Sequence, residues 1–169
     1  EKEIMKISVL GAGGWGTTLG ILLHYNGHQV TLWEYKKNYV KELIKKRVNS
    51  LYLPGVNIPQ EILITHDLKE SVRQKNLIVL AVPSQFLRSV IEDVSYSDIK
   101  NSILVSVAKG IENKHLMTMS QMLKDVHPNL SDEQIGVLSG PSHAEEVSKR
   151  IPTAVVAAST GIETSKSIQ

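Results

Sequence analysis

A chain of 169 residues with 41% hydrophobic and 21% charged side chains is about one domain long and can bury a core of its own, which excludes disordered and fibrous classes. Nineteen Lys and Arg against seventeen Asp and Glu leave a formal net charge of +2, too even for a nucleic-acid footprint. Without cysteine there is neither a disulfide framework nor a thiolate site, no apolar run approaches the ~18 residues of a membrane span, and Glu1 to Lys6 has no apolar h-region. The expected setting is the cytoplasm, with neither nucleic acid nor membrane as a partner.

Short apolar runs alternate with amphipathic stretches, the signature of βαβ units. In chain order the pattern predicts a strand over 7–10, a helix over 14–26, a strand over 29–33 and a helix over 38–47. The segment 49–59, NSLYLPGVNIP, has two prolines and a glycine and is expected to be a surface loop. A strand over 62–65, a helix over 68–73, a strand over 77–82 and a helix over 85–94 follow. After them come a strand over 103–107, a helix over 116–126, a strand over 135–138, a helix over 142–148 and a strand over 154–157. The tail 159–169 is polar, and no repeat or internal linker interrupts the chain. Several strands are nearly all apolar, as strands covered on both faces should be.

The run Gly11-Ala12-Gly13-Gly14-Trp15-Gly16 is a G-x-G-x-x-G that follows the first strand directly and opens the first helix. In that context Gly11 permits a tight turn, Gly13 lets backbone approach a pyrophosphate, and Gly16 lets helix and strand pack closely. The helix N-terminus adds unpaired N–H groups and a partial positive charge. The expected architecture is α/β: a Rossmann-type, doubly wound, mainly parallel sheet with helices on both faces, occupying 1–169 as one dinucleotide-binding domain. Glu34 ends the second strand ~20 positions beyond Gly11, where an acid accepts hydrogen bonds from an adenosine ribose and disfavours a 2′-phosphate. Lys36 and Lys37 argue for a 2′-phosphate, so NAD is the expected cofactor with NADP left open. The further cations Lys41, Lys45, Lys46 and Arg47 read as a solvated helix face. Tyr35 flanks the adenine or covers the sheet edge.

Three more stretches fall where strands should end, and ligands of this architecture bind at those ends. They are AVPSQF (81–86), VAKGIE (107–112) and SGPSHAEEV (139–147). Pro83 and Phe86 are placed to line the nicotinamide end of a cofactor, with Ser84 as a lining residue or a helix cap. A lysine at a strand end, Lys109, can stabilise the alkoxide that forms when a ketone is reduced. Ser142 reads as an N-cap, as a substrate hydroxyl donor, or as both. The histidines show no ligand spacing, so no metal is expected.

Together with GAGGWGTTLG (11–20) and LPG (53–55), these motifs, in this order and spacing, resemble the N-terminal domain of NAD-dependent glycerol-3-phosphate dehydrogenases over nearly the whole chain. The resemblance implies reversible hydride transfer between NAD(P)H and dihydroxyacetone phosphate, giving sn-glycerol 3-phosphate for phospholipid synthesis. By position it implies that Gly14 and Trp15 contact the cofactor phosphates, that Glu34 and Tyr35 form the adenosine-selectivity pair, and that Tyr52 and Ala144 also touch the cofactor. Many NADP-using bacterial members hold arginine at the selectivity pair; this chain does not. Lys109 matches a lysine touching both cofactor and substrate, and Gly140 and Ser142 match substrate contacts. The principal catalytic lysine is expected beyond Gln169, in a C-terminal helical domain absent from this chain, so this piece alone should turn over little. The full-length protein is expected to be a homodimer, and this piece a monomer or weak dimer. Two other readings share the glycine turn: a related 3-hydroxyacid-type dehydrogenase and a non-catalytic dinucleotide sensor. VAKGIE with SGPSHAEEV separates the first, and Lys109 the second.

Overall fold

The computed structural model describes residues 3–169; Glu1 and Lys2, with which the expected 1–169 domain begins, lie outside the described residues. The elements run β1 (Lys6–Leu10), α1 (Gly14–Tyr25), β2 (Gln29–Trp33), α2 (Lys37–Lys46), β3 (Val48–Asn49), β4 (Leu53–Asn57), β5 (Leu63–Thr65), α3 (Leu68–Val72) and β6 (Leu77–Leu80). They continue with α4 (Ser84–Glu92), α5 (Tyr96–Ile99), β7 (Ile103–Ser106), α6 (Met119–Val126), a 3-10 turn (Asp132–Gln134), β8 (Ile135–Ser139), α7 (Ala144–Ser148), β9 (Val156–Ser159) and α8 (Ile162–Ile168).

Seven strands form one sheet in the order β5-β2-β1-β6-β7-β8-β9. All neighbours in it are parallel except β8 and β9. The period-two alternation of side chains sorts the strand residues into two cores. Ile7, Val9, Val30, Leu32, Ile64, Val79 and Val105 meet Leu19 and Ile21 of α1 and Val40 and Leu43 of α2 on one face. Leu10, Trp33, Ile78, Leu80 and Leu104 meet Leu87 and Ile91 of α4, Ile99 of α5 and Met119, Met122 and Leu123 of α6 on the other. Each such buried aliphatic side chain contributes roughly 1.5–3 kcal/mol of transfer free energy. The mainly parallel, doubly wound sheet expected from the alternation is therefore the one observed.

The departures have local causes. The expected loop at 49–59 contains a two-stranded antiparallel ribbon, β3 with β4, that buries Asn49 and Leu53. The helix expected from 116 begins at Met119, because Leu116 has φ +54° and a capping box between Thr118 and Gln121 starts the helix there. The last strand is Val156–Ser159 rather than 154–157, and it runs antiparallel. After β8 the chain makes only the five-residue α7, which packs on α1, so it re-enters the sheet from the end it left. The polar tail carries a helix: α8 buries Thr164 and lays Ile168 against Gly136 of β8, and α5 is a further short helix that the pattern did not announce. Gln169 is the C-cap of α8, its N–H donating to the Ser165 carbonyl at 3.2 Å.

Candidate functional site

The strand order reverses between β1 and β6, with β2 and β5 on one side and β7 and β8 on the other, so the carboxyl ends of β1 and β6 border a crevice. The glycine-rich turn sits on its floor. Gly11 has φ +108°, and a Cβ there would lie 2.9 Å from the carbonyl carbon of Ala81. A Cβ at Gly16 would overlap the Gly11 carbonyl oxygen, so the first turn of α1 can lie against β1 only if that residue is glycine. Gly13 differs from both. Its backbone is ordinary and extended (φ −71°, ψ −178°), and a Cβ would meet no protein atom within 4 Å. Folding does not require glycine at that position. The open space it leaves lies at a helix N-terminus with no side-chain cap and no acid in its first turn. Free N–H groups, a favourable dipole and room for close approach are what a phosphate needs.

The structure gathers several of the expected residues around this turn. A Cβ at Gly14 would lie 2.7 Å from the Tyr52 carbonyl oxygen and 3.6 Å from Cβ of Ala144, and the Thr18 hydroxyl donates to the Ala144 carbonyl at 3.3 Å. Tyr52 and Ala144 thus sit against the start of α1, whose second residue is Trp15, with Tyr52 edge-on to Tyr39. Glu34, 7% exposed, follows β2; its N–H donates to the Thr65 carbonyl and its Oε1 accepts from the Lys36 N–H at 3.1 Å. Tyr35 is 65% exposed and carries Lys36 Nζ 5.3 Å from its ring centroid, so it does not cover the sheet edge.

Across the crevice, Pro83 is the N-cap of α4 and Ser84 its first residue, so Ser84 is not the cap. Phe86 stands 65% exposed on that first turn. Lys109 is exposed on the loop after β7, with Nζ 3.5 Å from the Ser142 carbonyl. That contact brings the lysine to the 140–142 turn. The N-cap of α7 is His143, which removes the capping reading of Ser142; the Ser142 N–H closes a tight turn onto the Gly140 carbonyl at 2.9 Å. Gly140 presses on the Ala154–Val155 backbone, where a Cβ would lie 2.6 Å from a carbonyl oxygen. Gln169 is no part of this constellation: it is exposed at the end of α8, and α8 packs on β8 and β9 rather than on the glycine turn. Lys109 is therefore the lysine that the described residues bring to the crevice beside Gly140 and Ser142. Among the described residues no group of His, Cys, Asp or Glu is placed to hold a metal ion, and no helix is long and apolar enough to cross a membrane.

Asn49 is the site residue that motif reading missed. Fully buried, its Nδ2 donates to the Ala12 carbonyl (2.8 Å) and to Thr17 Oγ1 (2.7 Å), and its Oδ1 accepts from the Tyr39 hydroxyl and the Tyr52 N–H. One amide thereby ties the glycine turn to α1, α2 and the β3–β4 ribbon. A lone asparagine in a loop gives no sequence signal for this. Asn49→Leu strands several buried polar groups, so we expect a loss of about 2 kcal/mol, a melting temperature lower by roughly 4–8 °C, and faster amide exchange at Gly13–Thr17; an unchanged melting curve would contradict this role.

Residues 6–165 match a family model described as the N-terminus of NAD-dependent glycerol-3-phosphate dehydrogenase. A protein of Thermoanaerobacter sp. (strain X514) named glycerol-3-phosphate dehydrogenase [NAD(P)+] is 48% identical over 165 residues, which cover 98% of this chain and 48% of that protein. A similarly named protein of Fusobacterium nucleatum is 46% identical over 153 residues, covering 90% of this chain and 45% of that protein. Among solved structures, a glycerol-3-phosphate dehydrogenase from Coxiella burnetii superposes with a TM-score of 0.89 at 31% identity, covering 98% of this chain and 50% of that one. The chain therefore spans about half the length of the relatives it matches.

Proposed function

Because the chain belongs to the NAD-dependent glycerol-3-phosphate dehydrogenase family and matches its N-terminal part, we propose that residues 1–169 are the dinucleotide-binding domain of an enzyme that transfers hydride reversibly between NAD(P)H and dihydroxyacetone phosphate, giving sn-glycerol 3-phosphate. The proposal includes a helical substrate domain beyond Gln169 that carries the principal catalytic lysine, a homodimer in the full-length protein, a cytoplasmic location and a place in phospholipid synthesis. The observation that carries it is the open space at Gly13 beside the uncapped start of α1.

The bound nicotinamide cofactor would supply the hydride. The chain's own part is to hold and polarise. The N–H groups of Gly14, Trp15 and Gly16 offer donors to the pyrophosphate, the Glu34 carboxylate takes the adenosine ribose hydroxyls, and Tyr35, Tyr52 and Ala144 flank the dinucleotide. Pro83 and Phe86 line the nicotinamide end. Lys109, held beside Gly140 and Ser142, presents its ammonium to the ketone oxygen, where negative charge grows as hydride arrives at the adjacent carbon.

Lys36 and Lys37 line a concavity that adjoins Glu34 and is completed by Asn38, Tyr39 and Glu42. The two cations and the carboxylate pull cofactor choice in opposite directions. Titrating the chain with NADH and with NADPH is expected to show saturable binding of both, with NADH the tighter. A clear preference for NADPH would overturn the role given to Glu34, and no binding of either would overturn the proposal.

A further inference from the structure

We propose that Arg88 and Gln85, one turn apart on α4, are positioning residues that set the place of Lys109; this rests on the reading of Lys109 given above. Lys109 has little hold of its own, since its one hydrogen bond is a long contact with the Ser142 carbonyl. Its position therefore depends on the backbone of the segment 108–117, which contains no helix and bends through positive φ at Gly110 (+89°) and Leu116 (+54°). An isolated bridge between Glu112 and Met117 closes the segment on itself without attaching it to the fold.

At the two ends of the segment Ala108 and Met117 pack on the core, and two side chains of α4 attach the stretch between them. The Gln85 amide donates through Nε2 to the Ile111 carbonyl (2.8 Å) and accepts through Oε1 from the Asn113 N–H (3.0 Å), gripping the backbone on both sides of Glu112. Arg88 forms a two-pronged pair with Glu112, Nε to Oε1 at 2.6 Å and Nη2 to Oε2 at 3.0 Å. The two side chains of this pair are 13% and 5% exposed. Nη1 of Arg88 reaches on to Asp125 of α6 at 2.7 Å, so the planar guanidinium is held from a second side. The Arg88 guanidinium, with help from His115, keeps the Glu112 carboxyl well below the usual carboxylate range, at about 2, so the pair stays ionised at neutral pH. Paired guanidinium and carboxylate fix orientation as well as distance. The clamp lies three residues beyond Lys109 and is built by the helix whose first turn carries Pro83 and Phe86, so it fixes the lysine relative to the proposed nicotinamide end of the crevice.

The test uses Arg88→Met, Arg88→Lys, Gln85→Ala, Lys109→Ala and the double variant Arg88→Met/Lys109→Ala. Backbone amide exchange is followed at Lys109–Asn113 in the 169-residue chain, and turnover of dihydroxyacetone phosphate in the full-length protein. Arg88→Met is expected to speed exchange of the segment and to lower kcat at least ~10-fold, with NADH affinity falling less and Arg88→Lys recovering part of the loss. A residue acting through Lys109 adds nothing once the lysine is gone, so the double variant should stay within about a factor of two of Lys109→Ala alone. If Arg88→Met does not fold, Gln85→Ala carries the same expectations at a several-fold scale. Unchanged exchange, unchanged kcat, or losses that multiply in the double variant would overturn the proposal. Near-normal turnover in Lys109→Ala, with exchange speeded in Arg88→Met, would instead overturn the role of the lysine and leave the clamp standing.

Discussion

Replacing Gly13 by valine is expected to leave the fold standing and to abolish dinucleotide binding. The backbone there is extended, a conformation any residue adopts, and the new side chain would meet no protein atom within 4 Å at its Cβ. The stability cost should therefore be about 1 kcal/mol or less, the difference between glycine and a branched residue at a helix N-cap. Valine methyls would, however, fill the space beside the N–H groups of Gly14 to Gly16, which a pyrophosphate must approach closely. A loss of at least ~100-fold in NADH affinity, about 2.7 kcal/mol, is expected by calorimetric titration. Gly16→Val makes the contrast: its Cβ overlaps the Gly11 carbonyl, so it should damage the turn itself and lower the melting temperature. Unchanged NADH affinity in Gly13→Val would remove the phosphate turn from the account.

In the full-length protein, Lys109→Ala is expected to lower kcat/KM for dihydroxyacetone phosphate by roughly 100- to 1,000-fold, about 2.7–4 kcal/mol, the scale of losing one group aimed at developing oxyanion charge. The lysine is exposed and makes one long hydrogen bond within the chain, so its removal should barely alter stability, and NADH affinity should fall far less than turnover. The loss should therefore fall on kcat. Near-normal turnover would make Lys109 a solvated strand-end lysine and nothing more.

The sheet and its two covering layers were legible because runs such as Leu77–Leu80 are buried on both faces and write an unbroken apolar signal. The glycine turn between β1 and α1 was legible because three glycines at fixed spacing between a strand and a helix have few other uses. Pairings between distant residues were less legible. Val48 and Asn49 pair with a segment that proline and glycine mark as a turn, and the direction of β9 follows from where α7 packs. The polar tail up to Gln169 gave no apolar stripe long enough to announce α8, which is held by Ile168 against Gly136 of β8 and by the Thr164 hydroxyl donating to the Glu133 carbonyl. The same holds within the site. Asn49 reaches Ala12 and Thr17, and Arg88 reaches Glu112 and Asp125, across separations that no local periodicity records. Motif reading found the residues at strand ends; it could not find the buried polar groups that hold those ends in place.

Mapping NADH onto the 169-residue chain by amide chemical shifts tests the central claim most directly, because it asks whether the crevice at the carboxyl ends of β1, β2, β6 and β7 is the binding site. The expected result is saturable shifts concentrated at Gly11–Thr17, Glu34–Lys36, Ala81–Phe86 and Ala108–Gly110. The absence of shifts at millimolar NADH would contradict the account, as would shifts confined to the opposite end of the sheet around Lys6, Thr31 and Lys75.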